Sequence, residues 1–335
     1  TKLAEAKAAG EAAEAARIMA GEQLQAAQKT ASEAGQPISS VVFSSDNRTV
    51  AAAGADRRIH TWSAENGTPF DVIEEQAETL AFAPGGELVI GGCSTQVWTI
   101  DPEWRIERRI GEEGAISPFM DRVCALAFSP DGKLLATGGG EPSREGEIKL
   151  WNPATGEAVK EFPNLHSDTV LALEFSPDGK FLASGAADKM ARVIDLKSAK
   201  VTRTFEGHSH HVLSLSWSLD GRTLVTGSAD NLAKVWDLPT GERKKNIEGY
   251  DKEVTSVRFI GAGDQILTGS GDPKVRLVGS DGKEIRSFPD VGDFIQGVAS
   301  TADGRLVVAG GQDGVLRVWK TADGERLGAF PAAKN

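Results

Sequence analysis

Apolar and polar residues are arranged in short runs through most of the chain, and the clearest example lies at 170–205. The run at 170–175 alternates with a period of two, as a half-buried β-strand does. A Ser-Pro-Asp-Gly turn follows, because Pro presets φ and Gly accepts a positive φ. Further apolar runs at 181–185, 190–195 and 201–205 predict four short antiparallel strands in this unit.

The same unit recurs seven times along the chain. An aromatic residue followed by Ser-Pro-Asp or a relative returns every 39 to 47 residues, and Ser300 holds the seventh place. Each unit closes about 20 residues later with a Trp or an aliphatic residue. The closing residues are Trp62, Trp98, Trp151, Ile194, Trp236, Val278 and Trp319. Four strands in each of seven units predict an all-β fold, a seven-bladed β-propeller over 37–335.

Residues 1–36 have a different composition and form a separate segment. Ala, Glu, Lys and Gln dominate this stretch, and they are strong helix formers. The sequence therefore predicts an N-terminal α-helical extension, either a linker or a coiled coil that self-associates through residues 1–34. The chain opens with Thr1 and not Met, which indicates a piece of a longer protein.

The recurring phrases resemble WD40 repeats of a bacterial-type domain that follows an Ala-rich helix. The best copy runs from Gly207-His208 to Trp236-Asp237. In that family a His, an Asp, a Ser or Thr and the Trp form a buried hydrogen-bonded set within a blade. The resemblance implies such a set at His208, Asp230, Trp236 and Thr226, with Ser228 as the alternative to Thr226. It implies a shorter set at His166 and Asp188, where Ile194 replaces the Trp.

The resemblance also raises the question of ring closure. WD40 rings commonly borrow the last outer strand from the N-terminus. Here 325–330 looks like the outer strand of blade 7, and blade 1 begins with its own inner strand at 38–43. We therefore expect blades 7 and 1 to pack together without exchange of a strand.

The charge and the motifs of the chain limit the functions that we expect of it. The formal net charge of −11 argues against nucleic acid and anionic membranes as partners. No apolar run reaches the roughly 18 residues of a membrane span, which predicts a soluble chain, cytoplasmic or periplasmic. The sequence offers no zinc, redox, haem, phosphate-loop or nucleophile-elbow motif, so we expect no cofactor, no metal site and no enzyme. His210 and His211 suit exposed turn positions better than a metal site.

Two insertions predict where a partner binds. Relative to the other units, the third carries extra residues at 111–122 and at 139–147. By WD40 topology both lie on one face of the ring, the face of the loops between blades. The predicted partner-binding residues are Ile116, Phe119, Met120, Arg122, Glu141 and Arg144. The alternative for the apolar ones is that they pin the loop to the core.

The sequence thus predicts a non-catalytic platform that binds another protein through loops on this face. Two other functions stay open. One is a propeller enzyme with a site in the central channel, whose mark would be a ring of carboxylates or histidines on the inner strands. The other is a structural spacer whose N-terminal helix oligomerises.

Overall fold

The computed structural model describes residues 37–331, with gaps at 65–66, 93–94, 101–103, 111–118 and 293. The described chain consists of 28 short strands joined by turns. In chain order they are β1 Ile38–Phe43, β2 Thr49–Gly54, β3 Ile59–Ser63, β4 Pro69–Ile73, β5 Thr79–Phe82, β6 Leu88–Gly91, β7 Thr95–Ile100, β8 Trp104–Ile110, β9 Val123–Phe128, β10 Leu135–Glu141, β11 Glu145–Trp151, β12 Ala158–His166, β13 Val170–Phe175, β14 Phe181–Ala186, β15 Ala191–Asp195, β16 Lys200–Phe205, β17 Val212–Trp217, β18 Thr223–Ser228, β19 Ala233–Asp237, β20 Arg243–Ile247, β21 Val254–Ile260, β22 Gln265–Ser270, β23 Val275–Gly279, β24 Glu284–Phe288, β25 Ile295–Ser300, β26 Leu306–Gly311, β27 Val315–Lys320 and β28 Arg326–Pro331.

These strands form seven antiparallel sheets of four consecutive strands each, numbered here as blades 1 to 7. The first strand of each blade contacts the first strand of the next, so the seven inner strands surround a central channel. The predicted seven-bladed propeller is confirmed. We call the side with the connections between blades and between second and third strands the upper face, and the opposite side the lower face.

The ring closes between blades 7 and 1. The fourth strand of blade 7 is β28, which pairs with β27, and β1 packs against β25 and β26. Ile38 and Val41 of blade 1 share an apolar cluster with Val308 and Leu316 of blade 7. Each of these two blades uses its own four strands, so closure without strand exchange is confirmed for the described part of the chain.

The turn between the first and second strands has the same internal bonding in most blades. In blade 4 the Ser176 hydroxyl donates to the Asp178 carboxylate at 2.7 Å and accepts from the Phe181 backbone N–H at 2.9 Å. Gly179 completes the turn with a φ of 69°. The hydrogen bond from Ser176 holds the pKa of Asp178 below its usual value. This bonding explains why Ser-Pro-Asp-Gly or a relative recurs at the first hairpin of most blades.

The apolar core lies between blades. Ile148 and Leu150 of blade 3 pack in one cluster with Leu182 and Ile194 of blade 4. Each blade is therefore buried on both sides by its neighbours, as in other radial repeats. Among the described residues no helix is long and apolar enough to cross a membrane. The helix predicted within 1–36 lies outside the described residues.

Candidate functional site

The insertion at 139–147 is a β-hairpin. Strands β10 and β11 pair without a break out to Glu141 and Glu145, and residues 142–144 form the turn. The sequence predicts a loop over this stretch, and that prediction is wrong. Seven-residue strands carry the sheet of blade 3 beyond the upper face, so the insertion is an ordered extension of the blade.

Glycines let this hairpin lie tightly against its neighbours. A Cβ on Gly139 would lie 2.2 Å from the Arg122 carbonyl oxygen, and one on Gly146 would lie 2.3 Å from the Asp168 carbonyl oxygen. Larger residues would push the hairpin away from both segments. The turn is also fixed from blade 4, because the Ser143 backbone N–H donates to the Asp168 carboxylate at 2.7 Å. The Gly-rich sequence therefore serves close packing.

Four of the predicted contact residues lie exposed on the upper face around this hairpin. They are Met120, Arg122, Glu141 and Arg144. The Met120 backbone N–H donates to Glu147 Oε2 at 3.2 Å, which joins the first insertion to the second. Arg122 pairs with Glu78 of the blade 2 entry at 3.4 Å, and Arg144 pairs with Glu141. Ile116 lies outside the described residues.

Phe119 is a core residue and not an exposed contact. It is 7% exposed, and its ring packs on Trp151 with the centroids 5.3 Å apart. Val123 and Leu135 complete the same apolar cluster. Phe119 also lies 18 residues before Thr137, as His208 lies 18 before Thr226. The aromatic ring therefore stands where blade 5 has its histidine, and this equivalence was visible in the sequence spacing.

The hydrogen-bonded set implied for blade 5 is present and complete. His208 Nδ1–H donates to Asp230 at 2.8 Å, and Nε2 accepts from the Thr226 hydroxyl at 2.8 Å. Thr226 in turn accepts from Trp236 Nε1–H at 2.9 Å. The set ties the blade entry to the second and third strands. Satisfied networks of this kind hold a single arrangement of the backbone.

Blade 4 has the shorter set that the sequence implied. His166 Nδ1 lies 3.0 Å from Asp188, and Nε2 lies 2.8 Å from the Ser184 hydroxyl oxygen. Burial lowers the pKa of both His166 and His208, so both rings are neutral near pH 7. Burial raises the pKa of Asp188, but hydrogen bonds from His166, the Met190 backbone N–H and Arg192 outweigh it and bring that pKa to about 2.

The other blades replace this set in different ways. In blade 6 the Tyr250 hydroxyl donates to Thr268 at 2.8 Å, and the Arg276 guanidinium lies over the Tyr250 ring. In blades 1 and 7 the place of Thr226 is held by Ala52 and Ala309, both buried among apolar side chains. Apolar packing there agrees with the absence of the motif from those units.

A recurring basic residue in the third strand was not predicted from the sequence. Six blades place a Lys, Arg or His two residues before the closing residue, and each pairs with a nearby acid on the upper face. The six residues are His60, Lys149, Arg192, Lys234, Arg276 and Arg317. Gln96 takes the place in blade 2 and accepts from Trp98 Nε1–H at 3.0 Å. The constant distance of two residues from the closing residue could have revealed this position in the sequence.

A partly exposed ion pair lies in the channel. Glu174 of blade 4 meets Arg258 of blade 6 at 3.1 Å, and burial raises the pKa of Glu174.

The described inner strands carry no ring of carboxylates or histidines of the kind a channel enzyme would show. Within the described residues no group of three or more His, Cys, Asp or Glu side chains could hold a metal ion. Burial raises the pKa of Cys124 to about 11, which leaves its thiol protonated.

Comparison with known proteins agrees with this architecture. The family model described as IFT122 first beta-propeller matches residues 115–335, and the model of the WD domain, G-beta repeat, matches residues 28–63. Periodic tryptophan protein 2 homolog of Dictyostelium discoideum is 37% identical over 78 residues, and that of Mus musculus is 27% identical over 85.

Each of these two matches covers about a quarter of the chain and 8% of the relative, so the chain spans a small part of their length. Both relatives come from eukaryotes, and the expectation of a bacterial-type domain finds no support in them. The match over 115–335 covers most of the chain and coincides with blades 3 to 7. The chain therefore belongs to the family of the IFT122 first β-propeller and is a WD40-repeat β-propeller.

Proposed function

We propose that this propeller is a non-catalytic platform that binds another protein through the upper face over blades 2 to 4. The observation that carries the proposal is the extended hairpin of blade 3. It presents Glu141 and Arg144 beside the exposed Met120, whose side chain is 54% exposed. Apolar, acidic and basic groups thus share a small area on a rigid support, which suits recognition of a protein surface.

The hairpin is a poor candidate for a purely structural element. Its tip at 142–144 is exposed, and the side chains of Glu141 and Arg144 pair with each other. The glycines of its base are needed because the strands press on Arg122 and Asp168. An ordered insertion whose exposed tip holds charged side chains in fixed positions is typical of a binding surface.

The test compares protein capture by the wild-type ring with capture by matched variants. Met120→Ala and Arg144→Ala each remove an exposed side chain without touching the core. Val159→Ala on the outer strand of the same blade matches Met120 in exposure, at 55%. Arg305→Ala on the lower face removes a similarly exposed ion pair with Asp303.

We expect the two upper-face variants to bind the captured partner roughly 30-fold more weakly, since contact hot spots contribute about 2 kcal/mol each. The two controls should bind as the wild type does. Equal loss in all four variants, or in none, contradicts the proposal. Deleting residues 112–120 would be a misleading test, because it removes the buried Phe119.

Self-association through residues 1–34 remains a prediction. Gel filtration of the chain with and without residues 1–36 tests it directly. A shift to monomer on removal would favour the spacer function, and an unchanged elution would contradict it.

A further inference from the structure

The channel contains a cavity with the size and lining of a small-molecule site. It lies toward the lower face and has a volume of about 610 Å³. Ligand pockets in proteins usually measure roughly 300 to 1,000 Å³ and are lined mainly by apolar and aromatic groups. Each blade contributes the end of its inner strand, and six blades place an aromatic residue there. These six are Phe43, Phe82, Phe128, Phe175, Trp217 and Phe259.

The lining has one polar side and one apolar side. The residue before each aromatic also lines the cavity, and blades 4, 5 and 6 place Glu174, Ser216 and Arg258 there. The other four blades place small apolar residues at this position, namely Val42, Ala81, Ala127 and Ala299. This division between neighbouring blades gives the cavity an amphipathic wall.

Within the polar side, Arg258 has more unused hydrogen-bonding groups than Glu174. Glu174 Oε1 accepts from Arg258 Nη1, and Oε2 accepts from the Trp217 backbone N–H at 2.9 Å. The bonds described for Arg258 engage Nη1 alone, although the guanidinium carries five donors. Its side chain is 43% exposed and lines both this cavity and the smaller one above it.

From these features we propose that the cavity binds one amphipathic anion. The anionic group, a carboxylate or sulfonate, accepts hydrogen bonds from Arg258, and the apolar body lies along Ala81 and Ala127 on the apolar side of the cavity. A cationic ligand would find fewer unused groups, because each oxygen of Glu174 already accepts one hydrogen bond while most donors of Arg258 are unused. The site is far from the hairpin of blade 3 and does not depend on the proposed protein-binding face.

The probe for this site is 8-anilinonaphthalene-1-sulfonate, an aromatic sulfonate whose fluorescence rises in apolar surroundings. We expect saturable binding of one probe per ring at pH 7. Decanoate should displace the probe, and decyltrimethylammonium, which has the same chain and the opposite charge, should not. Displacement by both, or by neither, contradicts the proposed anion preference.

Two variants locate the probe. The double substitution Glu174→Gln with Arg258→Gln removes both charges but keeps hydrogen-bonding groups, and we expect about tenfold weaker binding. Ala81→Phe fills the apolar side and should block the probe. Ala322→Phe is the control on an exposed turn, and Arg144→Ala is the control on the upper face.

The melting temperature of each variant shows that the ring is folded. Loss of binding in the two channel variants, with the two controls unchanged, supports the site. Binding that survives in both channel variants overturns it.

Discussion

Blades 5 and 3 have the same strand arrangement and the same closing tryptophan, but different residues cover that tryptophan at the upper face. In blade 5 His208 bonds to both Asp230 and Thr226, and Trp236 donates to the same threonine. In blade 3 the corresponding indole, Trp151, also donates to its threonine, Thr137, at 2.9 Å. The histidine, however, is replaced by an aromatic ring, Phe119.

The difference lies beside the connection between the second and third strands. In blade 5 this connection is a tight turn, and its Asp230 bonds the histidine, the Ser209 backbone N–H and Lys234. In blade 3 the two strands continue to Glu141 and Glu145, and Glu147 of β11 accepts from the Met120 backbone N–H and pairs with Lys149. The acid of blade 3 therefore bonds the backbone and a lysine, while the apolar Phe119 ring fills the histidine position and needs no hydrogen-bond partner in the core.

The largest expected effect is on the stability of blade 3, where an apolar ring covers the tryptophan. Phe119→Ala in blade 3 should lower the free energy of unfolding by about 4 kcal/mol, because it empties a core position against Trp151. Urea unfolding measures the change. Phe70→Ala, at a site that is 54% exposed, is the control and should cost less than about 1 kcal/mol. A small loss at Phe119 would mean that the ring is not part of the core in solution.

Substitution of the acid in the hydrogen-bonded set of blade 5 should lower the stability nearly as much. Asp230→Ala leaves His208, the Ser209 backbone N–H and the buried Lys234 without their carboxylate. We expect a loss of about 3 kcal/mol in the free energy of unfolding, as when one member of a buried ion pair is removed. Asp251→Ala, at an exposed carboxylate that pairs with Lys274, is the matched control. Equal losses in the two variants would contradict a special role for Asp230.

Much of this comparison was present in the sequence. The repeated phrases gave seven blades, the strands of blade 4 and the residues of the blade 5 set, because turn chemistry and periodicity are local. The placement of Phe119 could also have been found, from its 18-residue distance to Thr137. It was assigned to a loop because an insertion hides the register of the residues that flank it.

Other features depend on contacts between distant parts of the chain. Glu174 and Arg258 are 84 residues apart, and nothing local to either predicts that they meet across the channel. The hairpin at 139–147 looked like a loop because its Gly-rich sequence disfavours a strand. The backbones of Arg122 and Asp168, which come close to those glycines, become neighbours only after folding.

A smaller effect, the pH dependence of stability, should separate the polar blades from the apolar one. Burial lowers the pKa of His166 and His208 in the folded state, so the unfolded chain binds protons more readily. Stability should therefore fall as the pH drops from 7 toward 5, through the usual histidine pKa near 6.5.

The double substitution His166→Tyr with His208→Tyr imitates Tyr250, which does not titrate there because burial raises its pKa still further above this range. The variant should lose most of this pH dependence of the free energy of unfolding, which urea unfolding between pH 5 and 7 measures. Phe119→Tyr in blade 3, which removes no titrating group, should keep it. If the double variant kept the full slope, other groups would be responsible.

The smallest effect is expected at the hairpin tip, where blade 3 extends beyond the tight turn of blade 5. Arg144 is largely exposed and its ion pair with Glu141 is a surface pair, so Arg144→Ala should change the free energy of unfolding by less than about 0.5 kcal/mol. The same substitution should weaken partner capture, as argued above. Urea unfolding and capture on one protein sample therefore separate the two roles. A loss of stability comparable with that of Asp230→Ala would make the hairpin a structural brace, and its exposed charges would then need no partner to explain them.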